Sequence, residues 1–167
     1  TQLENDHNLS VFSGHDALVD IKVKGQKTVI SKYSADDITV RVDVSDIKES
    51  GMYTLDLFFE LPSDISLIDS SVSEVNMFID KRTSANIDVE VNLRSYKISS
   101  AEYALGDVVC DTDTIMVTGP ASIIEDINHA LVEIDLKDAH LTESLSTSGE
   151  ILLKNQNGGN VESKFVK

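Results

Sequence analysis

The stretch Val40-Arg41-Val42-Asp43-Val44-Ser45-Asp46 decides the fold, because a close copy of it follows in the second half of the chain. The copy reads Val132-Glu133-Ile134-Asp135-Leu136-Lys137-Asp138 and lies 92 residues further on. In both stretches apolar residues alternate with polar ones, which is the pattern of a strand with one buried and one solvated face. An internal copy of this kind predicts two units of one fold in tandem.

The repeat begins earlier, with a strand that ends in glycine. Ile21-Lys22-Val23-Lys24-Gly25 corresponds to Ile115-Met116-Val117-Thr118-Gly119 at an offset of 94, and Val29-Ile30 corresponds to Ile123-Ile124 at the same offset. Each unit therefore reads as a strand, a tight turn, a short connector and a second strand.

Two pairs of equivalent residues carry specific expectations. We expect Gly25 and Gly119 to adopt positive φ where the first strand ends. We expect Asp43 and Asp135 to accept backbone N–H bonds at the turn that closes the second strand. The polar positions Lys22, Arg41, Glu125 and Glu133 should be exposed, whereas alternation predicts a core formed by Ile21, Val23, Val40, Val42, Ile115, Val117, Ile127, Val132 and Ile134.

The composition predicts a mostly β fold, as two tandem small β-rich domains, each with one short helix or helical turn. Val, Ile and Thr supply 42 of the 167 residues, and these branched side chains suit a pleated surface. The clearest helix prediction is Ala121–Asn128, with Ser122 as its cap and Glu125 completing a capping box. Further strands are predicted at Val19–Val23, Tyr53–Leu61, Val75–Ile79, Ile87–Leu93, Thr114–Val117, Leu131–Leu136, Glu150–Leu153 and Val161–Val166.

The length and the repeat together predict two domains of about 80 residues, a feasible but small size for a hydrophobic core. We place the boundary in a short linker at Lys81–Ser84, between one strand that ends at Ile79 and another that begins at Ile87. The first domain then spans residues 1–82, with residues 1–16 poorly ordered or partial, and the second spans residues 83–167.

Charge and hydropathy exclude several functions. The formal net charge is −15, which opposes binding to a phosphate backbone and docking on an anionic membrane surface. No run of about 18 apolar residues is present, so the chain itself does not insert in a bilayer. One cysteine, Cys110, permits no intrachain disulfide.

The residues that usually carry chemistry form no recognisable site. His7, His15, His129 and His140 lack metal-ligand spacing, and Cys110 has no basic residue near it in sequence. The pair Asp111 and Asp113 resembles the start of a calcium loop whose later ligands are missing. We therefore predict no catalytic residue, no cofactor and no metal ligand.

One candidate contact residue is Phe58. It stands next to Phe59, and strand alternation cannot put both rings on one face. Either the strand is covered on both faces, or Phe58 is exposed and contacts a partner protein.

The repeated unit resembles the YbbR-like domain, whose members show V-x-V-x-G, an aliphatic pair, a v-x-v-D-l-s segment, a glycine, an extended strand with proline and a closing apolar strand. Two departures are Gln26, where Pro120 stands in the second copy, and Lys137, where Ser45 stands in the first. The first copy supplies Ile21–Gly25, Val29-Ile30, Val40–Ser45, Gly51, Tyr53–Leu61, Pro62 and Val75–Asp80; the second supplies Ile115–Pro120, Ile123-Ile124, Val132–Lys137 and Glu150–Leu153, with a turn at Gly158-Gly159.

The resemblance implies a non-enzymatic, extracytoplasmic protein of bacteria that is anchored by a transmembrane helix absent from this sequence. It also implies a membrane diadenylate cyclase as partner, and thus a role in regulating cyclic di-AMP synthesis. The net charge of −15 predicts that no nucleic acid is bound. We expect the chain to be part of a longer protein and to end before the closing strand of its second unit. A structural or adhesive β-repeat that acts as a spacer at the cell surface is the alternative. An enzyme with a site assembled from scattered acids is the weakest hypothesis.

Overall fold

The computed structural model describes residues 8–98, 104–141 and 143–167, without the side chains of residues 138–140. The protein is mostly β, which confirms the predicted fold class. Its elements in chain order are the strands and helical turns β1 (Leu9–Ser13), β2 (Ile21–Gly25), α1 (Lys27–Ile30), a 3₁₀ turn (Ala35–Asp37), β3 (Thr39–Val42), β4 (Gly51–Glu60), β5 (Ile65–Ser70), β6 (Glu74–Ile98), β7 (Thr114–Pro120), α2 (Ala121–Ile124), β8 (His129–Leu141), β9 (Glu150–Lys154) and a 3₁₀ turn (Ser163–Phe165).

The chain divides into two compact units, unit 1 (Thr1–Lys81) and unit 2 (Arg82–Lys167). The division falls within the stretch Lys81–Ser84 where the sequence analysis places the boundary, but this stretch is part of β6, so the expectation of a linker between two strands is wrong. The reason is local: these residues contain neither glycine nor proline, and Arg82 and Thr83 pair with Pro120 and Gly119 of β7. A strand therefore continues where the sequence suggested a loop.

In unit 1 the first half of β6 lies between two antiparallel strands. Leu9–Ser13 pairs with it on one edge and Gly51–Asp56 on the other. β3 pairs with the second half of β4, while β2 and β5 form a separate two-stranded sheet. Ile79 is fully buried, because it packs in a core cluster with Leu9, Ile47 and Met77.

Part of the start of unit 1 forms a strand. The sequence analysis expects residues 1–16 to be poorly ordered or partial; residues 1–7 lie outside the described residues, but Leu9–Ser13 forms β1 and Leu9 is only 1% exposed. Leu9 belongs to the core cluster that also contains Ile47, Met77 and Ile79. The prediction missed this strand because its five residues show too little alternation to stand out.

In unit 2 the second half of β6 pairs with two strands. Residues 82–88 pair antiparallel with β7, and residues 89–98 pair parallel with β8, which in turn pairs with β9. The core consists of buried side chains from β6, β7, α2, the turn after α2, β8 and β9: Ile87, Val117, Ile124, Ile127, Ala130 and Leu153.

The predicted helix Ala121–Asn128 is shorter in the structure. α2 ends at Ile124, its N-cap is Pro120, and Ser122 does not cap it. The prediction of a capping box is therefore wrong, because proline fixes the extended φ that the cap position needs. The strand predicted at Val161–Val166 is also wrong, since residues 163–165 form a 3₁₀ turn.

The predicted core is correct in part. Val117 and Ile127 are buried, whereas Ile21, Val23, Val42, Ile115, Val132 and Ile134 are half-buried. Val40 is 41% exposed, so its assignment to the core is wrong; among the strands that the structure describes, β3 pairs with β4 alone. Lys22, Arg41 and Glu125 are exposed as predicted. Glu133 is half-buried instead, because its carboxylate accepts a hydrogen bond from Arg94.

The repeat predicted from the sequence is confirmed around the two glycines. A Cβ placed on Gly25 would meet Ile65, Asp64 and Ile30 at 3.0–3.2 Å, and one on Gly119 would meet Val166, Phe165 and Ile124 at 3.1–3.5 Å. Both glycines precede a four-residue helix, α1 and α2 respectively. Neither has the positive φ that we expected. Each glycine is required because another segment approaches its backbone closely.

The two aspartates of the repeat also occupy equivalent places. The Asp43 carboxylate accepts the backbone N–H of Ser45 at 2.9 Å, and the Asp135 carboxylate accepts that of Lys137 at 2.9 Å. Both bonds span two residues, as in an Asx turn. Both aspartates therefore accept a backbone N–H as predicted, but only Asp43 follows the end of its strand; Asp135 lies inside β8, which continues to Leu141 beyond an irregularity in its pairing with β6.

Candidate functional site

An open apolar groove of about 680 Å³ lies within unit 2. Its floor is one face of the sheet formed by β6, β8 and β9, including Val91, Leu93, Val132 and Ile134. Its walls are two segments outside the strands, residues 104–111 and residues 143–149. The alternation of these strands places their apolar side chains on one face, so the repeated v-x-v-D pattern accounts for the apolar floor of the groove.

The walls of the groove expose large apolar side chains. Val109 is 85% exposed, Leu145 58%, and Val108 and Leu105 more than 40%. Residues 104–109 and 143–149 are exposed throughout. Contiguous exposed apolar surface of this kind is typical of a site that binds another molecule.

The polar groups around the groove are few and mainly acidic. Asp107, Asp111 and Glu143 line it, together with the half-buried thiol of Cys110. Among the described residues, no group of three or more His, Cys, Asp or Glu side chains is placed to hold a metal ion. The groove is therefore suited to binding an apolar or partly basic partner.

The predicted contact residue Phe58 lies elsewhere, on β4 in unit 1. Its side chain is 54% exposed, while Phe59 is half-buried on the opposite face. Arg41 is its cross-strand neighbour and forms an ion pair with Glu60 at 3.1 Å. The strand is thus open on the Phe58 face, and the role of Phe58 as a partner contact stays a prediction.

The histidines are not brought together. His129 lies at the start of β8, 3.8 Å from a carboxylate oxygen of Glu90, and His15 is exposed. His7 lies outside the described residues, as does the side chain of His140. Near the predicted calcium-like pair, the hydroxyl of Thr112 donates to the carbonyl of Thr114, which closes a turn between Asp111 and Asp113.

The two Asx turns shift the pKa values of their aspartate carboxyl groups. Hydrogen bonds from the Ser45 hydroxyl and then from its backbone N–H lower the pKa of Asp43. The backbone N–H of Lys137, followed by the hydroxyl of Ser95, lowers the pKa of Asp135. These bonds stabilise the charged carboxylate, after the end of β3 for Asp43 and within β8 for Asp135, so both aspartates have structural roles.

Comparison with known proteins identifies the fold family. The family model described as YbbR-like protein matches residues 86–166. The second half of the chain is similar to the YbbR-like family. No curated protein matches the chain.

A solved structure extends this likeness to both units. The crystal structure of a YbbR-like protein from Streptococcus pneumoniae TIGR4 aligns with 94% of this chain and 80% of its own, with a TM-score of 0.51 and 14% identity. At that identity the match concerns the fold alone. The predicted resemblance to the YbbR-like family is confirmed.

The sequence analysis missed the groove of unit 2. Its walls carry the signal that could have revealed it, since Val108, Val109 and Leu145 are apolar residues in segments otherwise rich in Ser, Thr, Gly and acids. Alternation does not detect such residues, because they lie outside the strands.

Proposed function

We propose that this protein is a non-enzymatic interaction module of a membrane-anchored bacterial protein, on the outer side of the cytoplasmic membrane. Its partner is a membrane diadenylate cyclase, whose synthesis of cyclic di-AMP it modulates. The observation that carries the interaction role is the open groove, which presents apolar side chains on a chain of net charge −15. The resemblance to the YbbR-like family supports the choice of a diadenylate cyclase as the partner.

The surface chemistry supports a protein partner over other classes. The acidic surface repels nucleic acids and anionic lipids. None of the helices in the described part of the chain is long and apolar enough to cross a membrane. Contact with the cyclase therefore requires tethering beside it, which provides an effective concentration of about millimolar over a short linker.

The decisive experiment compares cyclic di-AMP levels in cells that carry the cyclase. One strain has the full-length anchored protein, one lacks it, and one has a version without the anchoring helix. We expect the level to change when the anchored protein is deleted, and the helix-less version to behave like the deletion. Equal levels with and without the anchored protein would contradict regulation and favour the surface-spacer function, to which the tandem repeat is also suited.

Point variants test the contact surface without removing the protein. Phe58→Ser changes a side chain that is 54% exposed, so it should leave folding intact while weakening regulation if Phe58 contacts the partner. Met52→Ser is the matched control, since Met52 lies on the same outward face of β4 and is 68% exposed. If both variants regulate normally, Phe58 is not a partner contact.

A further inference from the structure

One asparagine of the chain is followed by glycine. Asn157 precedes Gly158, whereas each of the other asparagines precedes a residue with a side chain. The backbone nitrogen that follows an asparagine can attack the side-chain amide, and glycine permits this attack best because it has no Cβ to block a close approach. Asn157 and Gly158 are both exposed, in the turn that follows β9. Sequence and exposure therefore bring an amide and its nucleophile together in water.

The backbone N–H groups of this turn are held by a single residue. The Gly158 N–H donates to the main-chain carbonyl of Asn155 at 2.9 Å. The side-chain oxygen of Asn155 accepts the N–H of Asn157 at 3.1 Å and that of Gly159 at 2.9 Å. Asn155 thus binds three successive N–H groups, and one of them belongs to the nitrogen that would attack Asn157.

We propose that Asn157 is a site of spontaneous deamidation and that Asn155 sets the rate of this reaction by keeping the turn closed. The Gly158 nitrogen attacks Cγ of Asn157, the bond from Cγ to the side-chain nitrogen breaks, and ammonia leaves with the proton of the Gly158 N–H. Water then opens the cyclic imide at either carbonyl, which gives aspartate or isoaspartate. Water is the one co-reactant and no electron is transferred. This inference goes beyond the proposed function and is independent of the partner.

The reaction requires the turn to open. While the Gly158 N–H donates to Asn155, its nitrogen keeps its proton and stays away from the side chain of Asn157. Exposed turns with few packed side chains open at a much lower free energy than the sheets they adjoin. A Cβ on Gly158 would meet nothing within 4 Å, so no close packing holds the turn at that residue. Opening is therefore local and does not require unit 2 to unfold.

The two products differ in their effect on the backbone. Both add one negative charge to a chain of net charge −15. Aspartate keeps the length of the main chain, whereas isoaspartate adds a methylene group to it, so the N–H groups of the turn no longer reach Asn155. The pairing of Lys154 with Asn160 and the bond from the Val161 N–H to the carbonyl of Leu153 at 2.9 Å close this turn. Isoaspartate should therefore loosen the segment that follows β9.

The test follows deamidation of the complete chain during incubation in mildly alkaline buffer. After denaturation, trypsin releases residues 155–164 as one peptide, and fragmentation in a mass spectrometer assigns the mass gain to one of its asparagines. We expect conversion at Asn157. Asn160 is the internal control, because the branched side chain of Val161 crowds the nitrogen that would attack it. A synthetic peptide of residues 151–163 represents the open turn and should deamidate at least about tenfold faster than the folded chain, since it lacks the hydrogen bonds of the turn.

Three variants test the role of Asn155. Asn155→Ala removes the oxygen that accepts two of the N–H groups, so it should raise the deamidation rate of the folded chain about tenfold. Asn155→Asp keeps an acceptor oxygen at this place and should retain the parental rate. Gln156→Ala is the matched control, because Gln156 lies in the same turn and is exposed, and it should also retain the parental rate. Thermal unfolding of each variant checks that unit 2 remains folded.

Three outcomes would overturn the proposal. The first is an unmodified Asn157 in the folded chain after the synthetic peptide has been converted completely. The second is equal conversion at Asn160, which would remove the role of Gly158. The third is a parental rate in Asn155→Ala, which would show that Asn155 does not control the opening of the turn.

Discussion

The two units share one motif but bury it to different degrees. In unit 1 the core over β3 and β4 is closed by the first half of β6, so that Leu9 and Ile79 are almost inaccessible. In unit 2 the corresponding face of β8 lines an open groove. The comparison teaches that the repeated motif determines local conformation, while the neighbouring strand determines burial.

Val40 and Val132 also differ in burial, but here the residue of unit 1 is the more exposed one. Val40 is 41% exposed because β3 has β4 as its one strand partner among the described residues. Its counterpart Val132 lies between Val91 of β6 and Ile151 of β9, and it is half-buried. Equivalent positions in the sequence thus have different surroundings in the two units.

The largest expected effect comes from Ile79→Ala. Ile79 is fully buried, so its truncation should lower the free energy of unfolding of unit 1 by about 3–4 kcal/mol, through lost burial and a residual cavity. Ile134→Ala removes a half-buried side chain from the open groove of unit 2 and should cost only about 1–2 kcal/mol. Denaturant unfolding of both variants measures the difference, and equal costs would contradict the contrast between the closed and open cores.

The next effect tests the close approach at the repeated glycines. Gly25→Ala and Gly119→Ala each place a Cβ at 3.0–3.1 Å from the nearest atom, with a backbone carbonyl oxygen within 3.2 Å in both. Both should destabilise their units by about 1–2 kcal/mol. Gly106→Ala is the matched control, because nothing lies within 4 Å of its added Cβ, and it should not lower the unfolding midpoint, since alanine only restricts the unfolded chain there. A neutral result at one repeated glycine would show that the two units differ at this turn.

A smaller effect is expected at the cap positions Gln26 and Pro120. Both have the backbone conformation of proline, with φ of −66° and −61°. Gln26→Pro should therefore stabilise unit 1 by about 0.4–1 kcal/mol, by restricting its unfolded chain. Thermal unfolding measures this gain, with Gln26→Ala as a control for the loss of the glutamine side chain. If Gln26→Pro unfolds at a lower temperature than the parent, unit 1 requires the Gln26 N–H as a hydrogen-bond donor.

The smallest effect concerns acid stability at the Asx turns. Because the folded-state pKa of Asp43 lies below its ordinary value of 3.8, its contribution is present above pH 3.8 and is lost as the pH falls through the folded pKa. Asp43→Asn should therefore be less stable than the parent at pH 7. The difference in the free energy of unfolding between parent and variant should become smaller below pH 3.8. Denaturant unfolding at several pH values tests this, and Asp135→Asn should behave alike in unit 2. If the difference in stability between parent and variant is independent of pH, the charged carboxylate of Asp43 is not the cause of that difference.

Much of the fold is predictable from the sequence because it depends on local rules. Alternation located most of the strands, and the aligned copies paired Gly25 with Gly119 and Asp43 with Asp135. The predictions from sequence fail where the conformation of a segment depends on strands that are distant in sequence. The short strand Leu9–Ser13 is ordered by its pairing with β6, and residues 81–84 are extended because β1 and β7 supply partners. The groove was not predictable from alternation, since its walls lie outside the strands.

The continuity of β6 has a consequence for proteolysis. Trypsin cleaves after lysine and arginine, and Lys81 and Arg82 stand next to each other at the boundary between the units. A protease needs several unpaired residues around the bond it cuts, yet Lys81 pairs with Leu9 and Arg82 with Pro120. The boundary between two compact units is therefore a protected site, and limited digestion will release peptides from other parts of the chain before it separates the two halves.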